Sequence, residues 1–272
     1  MDLFNKIFGK IEHIFFQPWL NPFATFYVNF RLCRYKDAIK MPIYIYGKAY
    51  FDVLKGSILF NNKVSTGMIT FGRIRGHFTA PKGSVYFFME EKSNIVFNGN
   101  CSFSIDSSLR LTKNATIIFG DNVRIGDAVK IMCENRIEIG SNSEITFGSQ
   151  IVDTNFHYIQ DIVNNKIKRK NLSIKLGSNN WIGNNSTIMK GAETHDCTIL
   201  ASGSLLNKKF EEKNIVLAGS PAKIVDRNKK RIYSIEMEKE IDEFFYENEN
   251  VDYYVVKISD NDEDKEDSNK DL

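Results

Sequence analysis

The chain has 272 residues, of which 42% are hydrophobic and 26% charged, a composition typical of globular proteins with a substantial core. Its net charge of +2 is too small to favour general nucleic-acid binding. No apolar run approaches the ~20 residues that a membrane-spanning helix requires, so a transmembrane protein is not expected.

Residues 1–45 are predicted to form an amphipathic helix followed by an extended segment. Apolar residues recur at helical spacing at Leu3, Phe4, Ile7, Phe8, Ile11, Ile14 and Phe15. Charged residues interrupt this pattern, which excludes a signal peptide. Two interpretations remain: the helix packs on the protein or on another subunit, or residues 1–20 dock at a membrane surface. Residues 1–50 hold seven Lys or Arg and three Asp or Glu, a net charge of +4 that would assist docking.

Residues 46–226 carry a repeat of period six. The clearest series of anchor residues is Leu176, Ile182, Ile188, Thr194, Leu200 and Leu206, and shorter series are Phe97, Phe103, Leu109, then Phe119, Ile125, Ile131, then Ile139, Ile145, Ile151. This period fits neither an α-helix nor an alternating strand. It fits a parallel β-helix with triangular coils, in which each unit is one short strand and one corner. Offsets of two residues between the series predict slightly longer coils or bulges at the corners.

Two segments depart from the repeat. Residues 158–173 are predicted to be a loop extruded from a coil, a favoured position for function. Its Lys166, Lys168, Arg169 and Lys170 are either a solvated charge run or a phosphate-binding element. Residues 227–250 are predicted to form a helix that closes the open end of the β-helix.

The last segment, residues 251–272, is predicted to be a short apolar stretch and an acidic tail. Residues 259–272 hold seven acids and two lysines, which predicts disorder. The four cysteines, Cys33, Cys101, Cys133 and Cys197, form no C-x-x-C pair. They are predicted to be free thiols in a reducing cytosol, so we expect a cytoplasmic protein or one peripheral to the inner membrane face.

Three motifs occur in a fixed order: W-I-G-N-N-S-T-I-M-K-G at 181–191, A-S-G-S at 201–204 and A-G-S-P-A-K at 218–223. Together they resemble the hexapeptide-repeat acyltransferases, and more narrowly the branch that O-acetylates galactosides, maltose and capsule sugars. The resemblance covers residues 119–226 well and the first hundred residues loosely. It implies an all-β fold, a left-handed parallel β-helix, with acetyl-CoA as acyl donor and no metal. It also implies a homotrimer with active sites between subunits.

His157, in the D-T-N-F-H segment before the insertion, is the predicted general base, and its spacing to Trp181 fits the family. A sugar hydroxyl is a poor nucleophile near neutral pH, and a positioned base contributes roughly 10²–10⁴ in rate. The thioester carbonyl becomes an oxyanion that needs a donor, which the resemblance assigns to the backbone N–H of Asn184. A further group must fix the imidazole tautomer, and Asp153 and Asn155 are near in sequence. His13, His77 and His195 are predicted to be structural or surface residues.

Coenzyme A is expected to lie in a groove between parallel β-helices. The resemblance places Gly183, Ser202 and Asn207 along its pantetheine arm and Pro221 and Lys223 at its adenine end. Lys208 is a further candidate for the phosphates. The sequence departs from the family at Asp226, where a second basic residue is common, and Arg227 is the possible substitute.

By resemblance, Asp127 and Asn135 align loosely with the acceptor-binding positions of the sugar branch, and Asn155 is a third candidate for binding the acceptor. The sequence therefore predicts an O-acetyltransferase that acts on a sugar hydroxyl in cell-surface polysaccharide biosynthesis. Two alternatives remain: an N-acetyltransferase of an amino or nucleotide sugar, and a catalytically silent β-helix that serves as a scaffold.

Overall fold

The computed structural model describes residues 18–74 and 84–256. The predicted N-terminal amphipathic helix, His13, His77 and the acidic tail lie outside these residues. The chain divides into one unit that ends at Arg231 and a second that begins at Ile232.

Two helices and a succession of short strands make up the described part of the first unit. The helices are α1 (Pro22–Leu32) and α2 (Tyr35–Ala38). The strands, in chain order, are β1 (Ile43–Ile45), β2 (Lys48–Leu54), β3 (Ser57–Phe60), β4 (Ile69–Phe71), β5 (Ser84–Met89), β6 (Asn94–Phe97), β7 (Cys101–Phe103), β8 (Ser108–Leu111), β9 (Thr116–Phe119), β10 (Val123–Ile125), β11 (Lys130–Cys133), β12 (Arg136–Ile139), β13 (Glu144–Ile145), β14 (Gln150–Val152), β15 (Gln160–Asp161), β16 (Lys166–Ile167), β17 (Ile174–Leu176), β18 (Trp181–Ile182), β19 (Thr187–Met189), β20 (Ile199–Leu200), β21 (Leu205–Leu206), β22 (Ile215–Ala218) and β23 (Lys223–Arg227).

Most of these strands belong to three parallel sheets, and these sheets form the three faces of a triangular prism. The first face has the order β1-β4-β7-β10-β13-β18-β20-β22, the second β2-β5-β8-β11-β14-β19-β21, and the third β3-β6-β9-β12-β17. Beyond β17 the third face continues as single bridges from Glu193 to Lys175 and Lys209. Strand β23 pairs antiparallel with β22. The predicted left-handed parallel β-helix is confirmed.

The anchor residues of the repeat form one continuous core. All six residues of the clearest series are buried, including Thr194. Aromatic anchor residues stack from coil to coil in the N-terminal half of the β-helix, where the ring centroids of Phe97 and Phe119 lie 5.3 Å apart. Burial of such rings contributes strongly to the stability of this part of the core.

Coil length varies along the prism, as the offsets predict. Cα partners on the first face are 22 residues apart from Phe103 to Ile125 and 20 from Ile125 to Ile145. They are 18 apart from Ile182 to Leu200. The extra residues of the longer coils lie at the ends of second-face strands. There Leu111 and Cys133 are the second residue of the strand to face inward, and both are buried.

Asparagines turn many of the corners. Asn122, Asn142 and Asn179 have φ of 54°, 55° and 55°, in the left-handed region that Asn tolerates better than most residues. Stacked corner residues also bond to each other, since Asn122 Nδ2 donates to Asn142 Oδ1 at 3.1 Å.

Helix α1 occupies part of the segment predicted to be extended, and this is a correction. Asn21 caps it by accepting from the Ala24 N–H at 3.0 Å, and Pro22 occupies the first turn. Its buried Val28 and Leu32 belong to the same core cluster as Ile43 and Ile45. Buried Asn29 donates to Ile43 O at 2.8 Å and accepts from Ile43 N–H at 3.2 Å.

The described part of the second unit contains helix α3 (Ile235–Glu247), so the predicted C-terminal helix is present. Ser234 caps it by accepting from Met237 N–H at 3.1 Å. The Phe244 ring packs against Tyr254 with centroids 5.1 Å apart. The role of α3 in closing the open end of the β-helix stays a prediction. Within the described ranges, no helix has the length and apolar character needed to span a bilayer.

Candidate active site

His157 lies on an excursion, residues 153–173, that leaves the β-helix after β14 and returns at β17. Strands β15 and β16 form an antiparallel hairpin in its outer part. Phe156, with φ of 60°, reverses the chain, and the His157 N–H donates to Asn155 O at 2.7 Å. The His157 side chain is exposed. Neither Asp153 nor Asn155 hydrogen-bonds to its ring within the described structure, so a tautomer-fixing role for either is not supported.

A polar network centred on Glu134 holds the base of the excursion to the β-helix. The Glu134 carboxylate pairs with Lys170 Nζ at 3.0 Å and accepts from Thr154 Oγ1 at 2.8 Å. Thr154 Oγ1 accepts from the Phe156 N–H at 2.9 Å, and the Asn155 N–H donates to Lys170 O at 2.8 Å. Both ends of the excursion are therefore fixed beside His157. The Lys170 ammonium is committed to this network.

Asp153 lies beneath this network and is fully buried. It occupies the inward position that Leu111 and Cys133 occupy in earlier coils. Its carboxylate accepts from the N–H groups of Glu134 at 2.7 Å and Asn135 at 2.8 Å, and Cys133 Sγ donates to it at 3.4 Å. Burial raises the pKa of the Asp153 carboxyl, and the two N–H bonds offset only part of that rise. Burial likewise raises the pKa of the Cys133 thiol, which is held neutral.

Truncation of this carboxylate is expected to destabilise the protein. Asp153→Ala leaves the Glu134 and Asn135 N–H groups without their acceptor, at about 1–3 kcal/mol each. We expect the free energy of unfolding in urea to fall by about 2 kcal/mol or more. Asp153→Asn, which keeps one acceptor oxygen, should lose less, and Asp161→Ala on the exposed hairpin should lose little. Equal midpoints for the Ala and Asn variants would show that the carboxylate does not hold this turn.

The predicted site residues fall at two corners of the prism. In the coil of β18 and β19, the first corner is residues 183–186, between the first and second faces. The second corner is residues 190–192, between the second and third faces. Equivalent positions in other coils stack above and below each corner.

Gly183, Asn184 and Ser202 come together at the first corner. The Gly183 N–H donates to Leu200 O at 2.7 Å, and the Gly203 N–H donates to Asn184 O at 2.8 Å. A Cβ at Gly183 would lie 2.5 Å from Ser202 N, so a residue without a side chain is required for the two coils to stack. Pro221 follows at the same corner of the next coil, and Lys223 is exposed in β23.

Asp127 lies at the first corner two coils above Asn184, and its role in binding an acceptor stays a prediction. It is 4% exposed and its carboxylate accepts a hydrogen bond from Ser104 Oγ. The side chain fixes the corner to the coil above, and this burial does not favour contact with a sugar.

Asn135, Asn155, Asn207 and Lys208 lie at the second corner with His157. The Asn135 amide donates to Ser173 Oγ at 3.1 Å, which links the corner to the end of the excursion. Lys208 is exposed, with Nζ 5.1 Å from the Phe210 ring centroid. Six residues separate Asn184 at the first corner from Lys190 at the second, a span of up to roughly 20 Å at about 3.3 Å per residue. Within one chain, Asn184 and the root of the His157 excursion therefore lie at different corners of the prism.

A cluster that sequence reasoning missed lies on the first face. The Arg231 guanidinium carbon is 4.8 Å from the Trp181 ring centroid, and the same side chain pairs with Glu144. Trp181 and Glu144 are Cα partners in adjacent strands. The signal for this cluster in the sequence was the position of Trp181 at the start of the W-I-G motif. Arg227, the suggested substitute for the missing basic residue, is paired with Glu212 at 2.7 and 3.2 Å.

Comparison with known proteins supports the acyltransferase class that the sequence motifs predict. No family model matches the chain. A stretch of 105 residues is 32% identical to the bifunctional protein GlmU of Clostridium novyi, covering 36% of this chain and 22% of GlmU. A stretch of 148 residues is 24% identical to WbbJ of Escherichia coli K12, a putative lipopolysaccharide biosynthesis O-acetyl transferase, covering 52% of this chain and 75% of WbbJ.

Among solved structures, the polySia specific acetyltransferase NeuO aligns with a TM-score of 0.46 at 18% identity, over 76% of this chain and 99% of NeuO. The chain spans about a fifth of the length of GlmU and about three quarters of the length of WbbJ. The resemblance to the hexapeptide-repeat acyltransferases is confirmed, and the similarity to WbbJ supports an acyltransferase as the class of enzyme.

Proposed function

We propose that this protein is an acetyl-CoA-dependent O-acetyltransferase that acts on a sugar hydroxyl in cell-surface polysaccharide biosynthesis, with His157 as general base. The observation that carries the proposal is the exposed imidazole on an excursion fixed to a rigid corner. The other described histidine, His195, is a poor candidate, because its Nδ1 accepts from the Asp196 N–H at 2.9 Å.

In this proposal the imidazole takes the proton of the sugar hydroxyl as its oxygen attacks the thioester carbonyl. The resulting oxyanion accepts a hydrogen bond from the Asn184 N–H. Collapse of the intermediate breaks the carbon–sulfur bond, and the imidazolium returns the proton to the CoA thiolate. The products are the acetylated sugar and free CoA.

The two-corner arrangement supports a homotrimer. His157 and Asn184 lie at different corners of one chain, so a complete site needs the first corner of one subunit against the second corner of its neighbour. Such a heterologous contact closes into a ring of three when successive subunits turn by 120°. The groove between subunits would hold the pantetheine arm along Gly183 and Ser202.

The direct test is transfer of labelled acetyl from acetyl-CoA to a panel of sugars and amino sugars. Transfer to a hydroxyl supports the proposal, and transfer only to an amine would support the N-acetyltransferase alternative. A melting temperature unchanged by CoA at 100 times the expected Kd, where a true ligand adds about 2.7 kcal/mol, would support the scaffold.

Lys223 tests the cofactor assignment. Lys223→Ala is expected to raise the KM for acetyl-CoA several-fold with kcat nearly constant, because a contact far from the thioester binds ground and transition states equally. The effect should weaken with salt, since the Debye length is about 8 Å at physiological ionic strength. Lys229→Ala is the matched control, because Lys229 is exposed and paired with Asp226 at 3.6 Å. A fall in kcat at constant KM would remove Lys223 from the CoA site.

A further inference from the structure

Helix α1 is apolar on two opposite faces. Ala24, Val28 and Leu32 are buried, while Phe23, Phe26 and Phe30 lie on the other side and are exposed. A helix on the surface of a globular protein ordinarily turns a polar face outward. The outer face of α1 instead carries large aromatic side chains, and Phe23 is 86% exposed.

Seven large, exposed hydrophobic side chains of this segment are here called the aromatic surface. Its members are Trp19, Leu20, Phe23, Phe26, Phe30, Tyr35 and Ile39. The Phe26 and Phe30 centroids are 4.5 Å apart, and those of Phe30 and Tyr35 6.3 Å. A groove of about 580 Å³ runs between Leu20, Phe23, Phe26, Met41 and Tyr44. Trp19 and Tyr35 are 74% and 75% exposed.

The segment that carries the aromatic surface is also basic. Residues 18–50 hold five Lys or Arg and one acid, a net charge of +4. Within residues 18–74 and 84–256, no carboxylate lies within ion-pair distance of Arg31, Arg34, Lys36 or Lys40. The segment thus combines apolar rings with cations that have no ion-pair partner among the described residues.

We propose that the aromatic surface docks on an anionic phospholipid bilayer. Trp and Tyr favour the interface between lipid and water, where their rings sit at the level of the headgroups. Unpaired Lys and Arg attract the anionic lipids beside them. A second copy of this surface would meet like charge, which disfavours self-association through it. The inference does not depend on the proposed acetyl transfer.

The test is co-sedimentation of the full-length protein with two vesicle preparations, phosphatidylcholine alone and phosphatidylcholine mixed with phosphatidylglycerol. The wild type is expected to bind the mixed vesicles, and binding should fall with salt because exposed charges are screened. Phe23→Ser is expected to weaken binding about tenfold, as loss of one buried Phe side chain implies. Arg34→Glu combined with Lys36→Glu should abolish the preference for anionic vesicles.

Tyr246→Ser is the matched control, because Tyr246 is also 86% exposed but lies on α3. It should bind vesicles as the wild type does, and both variants should keep the wild-type melting temperature. Failure of the wild type to bind either preparation would overturn the proposal. Wild-type binding by Phe23→Ser, with loss on deletion of residues 1–17, would assign docking to that segment instead. Acetyl-transfer assays without vesicles report separately on the proposed activity.

Discussion

Ile188→Asp is expected to yield no folded protein. Ile188 lies in the second face between Ile151 of the coil above and Leu206 of the coil below, and all three side chains are buried. An unpaired carboxylate at this position costs several kcal/mol, which is comparable to the whole stability of many domains, about 5–15 kcal/mol. Soluble yield, circular dichroism and thermal unfolding measure the outcome.

The neighbouring position provides the control. Thr187 precedes Ile188 on the same strand, and its half-buried side chain faces outward. Thr187→Asp should fold, with a melting temperature a few degrees from wild type, because the carboxylate keeps contact with water. A soluble Ile188→Asp with an unchanged melting temperature would show that the inward register of the repeat is wrong.

The core could be predicted from sequence because the six-residue period fixes which side chain of each short strand turns inward. Leu176, Ile182 and Leu200 are buried for this reason. The period is lost where second-face strands lengthen, and there Asp153, directly after β14, turns its side chain into the interior. A carboxylate at an inward position gives no apolar anchor, so its role became visible only from the N–H groups that surround it.

Helix α1 was missed for a related reason. Sequence patterns identify a surface helix by the contrast between an apolar and a polar face. The stretch from Phe23 to Leu32 carries apolar residues on both sides, so the contrast is weak. The N-terminal signals, Asn21 and Pro22, were present in the sequence and could have indicated the start.

The site could be predicted in part. Gly183 and Ser202 come together because their coils stack in register, which the repeat itself implies. Asp127 was assigned to the acceptor by resemblance alone, and its burial was not visible in a corner sequence rich in polar residues. The contact of Arg231 with Trp181 joins residues 50 positions apart, one of them beyond the repeat, so no periodic pattern links them.

His157→Ala is expected to lower kcat by roughly 10²–10⁴, the usual contribution of a positioned base. Folding and CoA binding should be retained, since the His157 side chain is exposed and makes no hydrogen bond to the described residues around it. His195→Ala is the matched control and should keep nearly full turnover. Single-turnover assays with labelled acetyl-CoA measure the loss, and a loss under tenfold would remove His157 from the role of base.

Mixed assembly shows whether His157 acts across a subunit boundary. His157→Ala disables the second corner, and Ser202→Trp should block the CoA arm at the first corner. If each site combines two chains, co-refolding equal amounts of the two variants pairs an intact His157 with an intact Ser202 at about a quarter of the sites, by random mixing in a closed ring. Activity should then return from near zero to that fraction. If both corners belonged to one chain's site, every site would keep one defect and mixing would restore nothing. That outcome would leave His157 as the base but would withdraw the shared site and the trimer that depends on it.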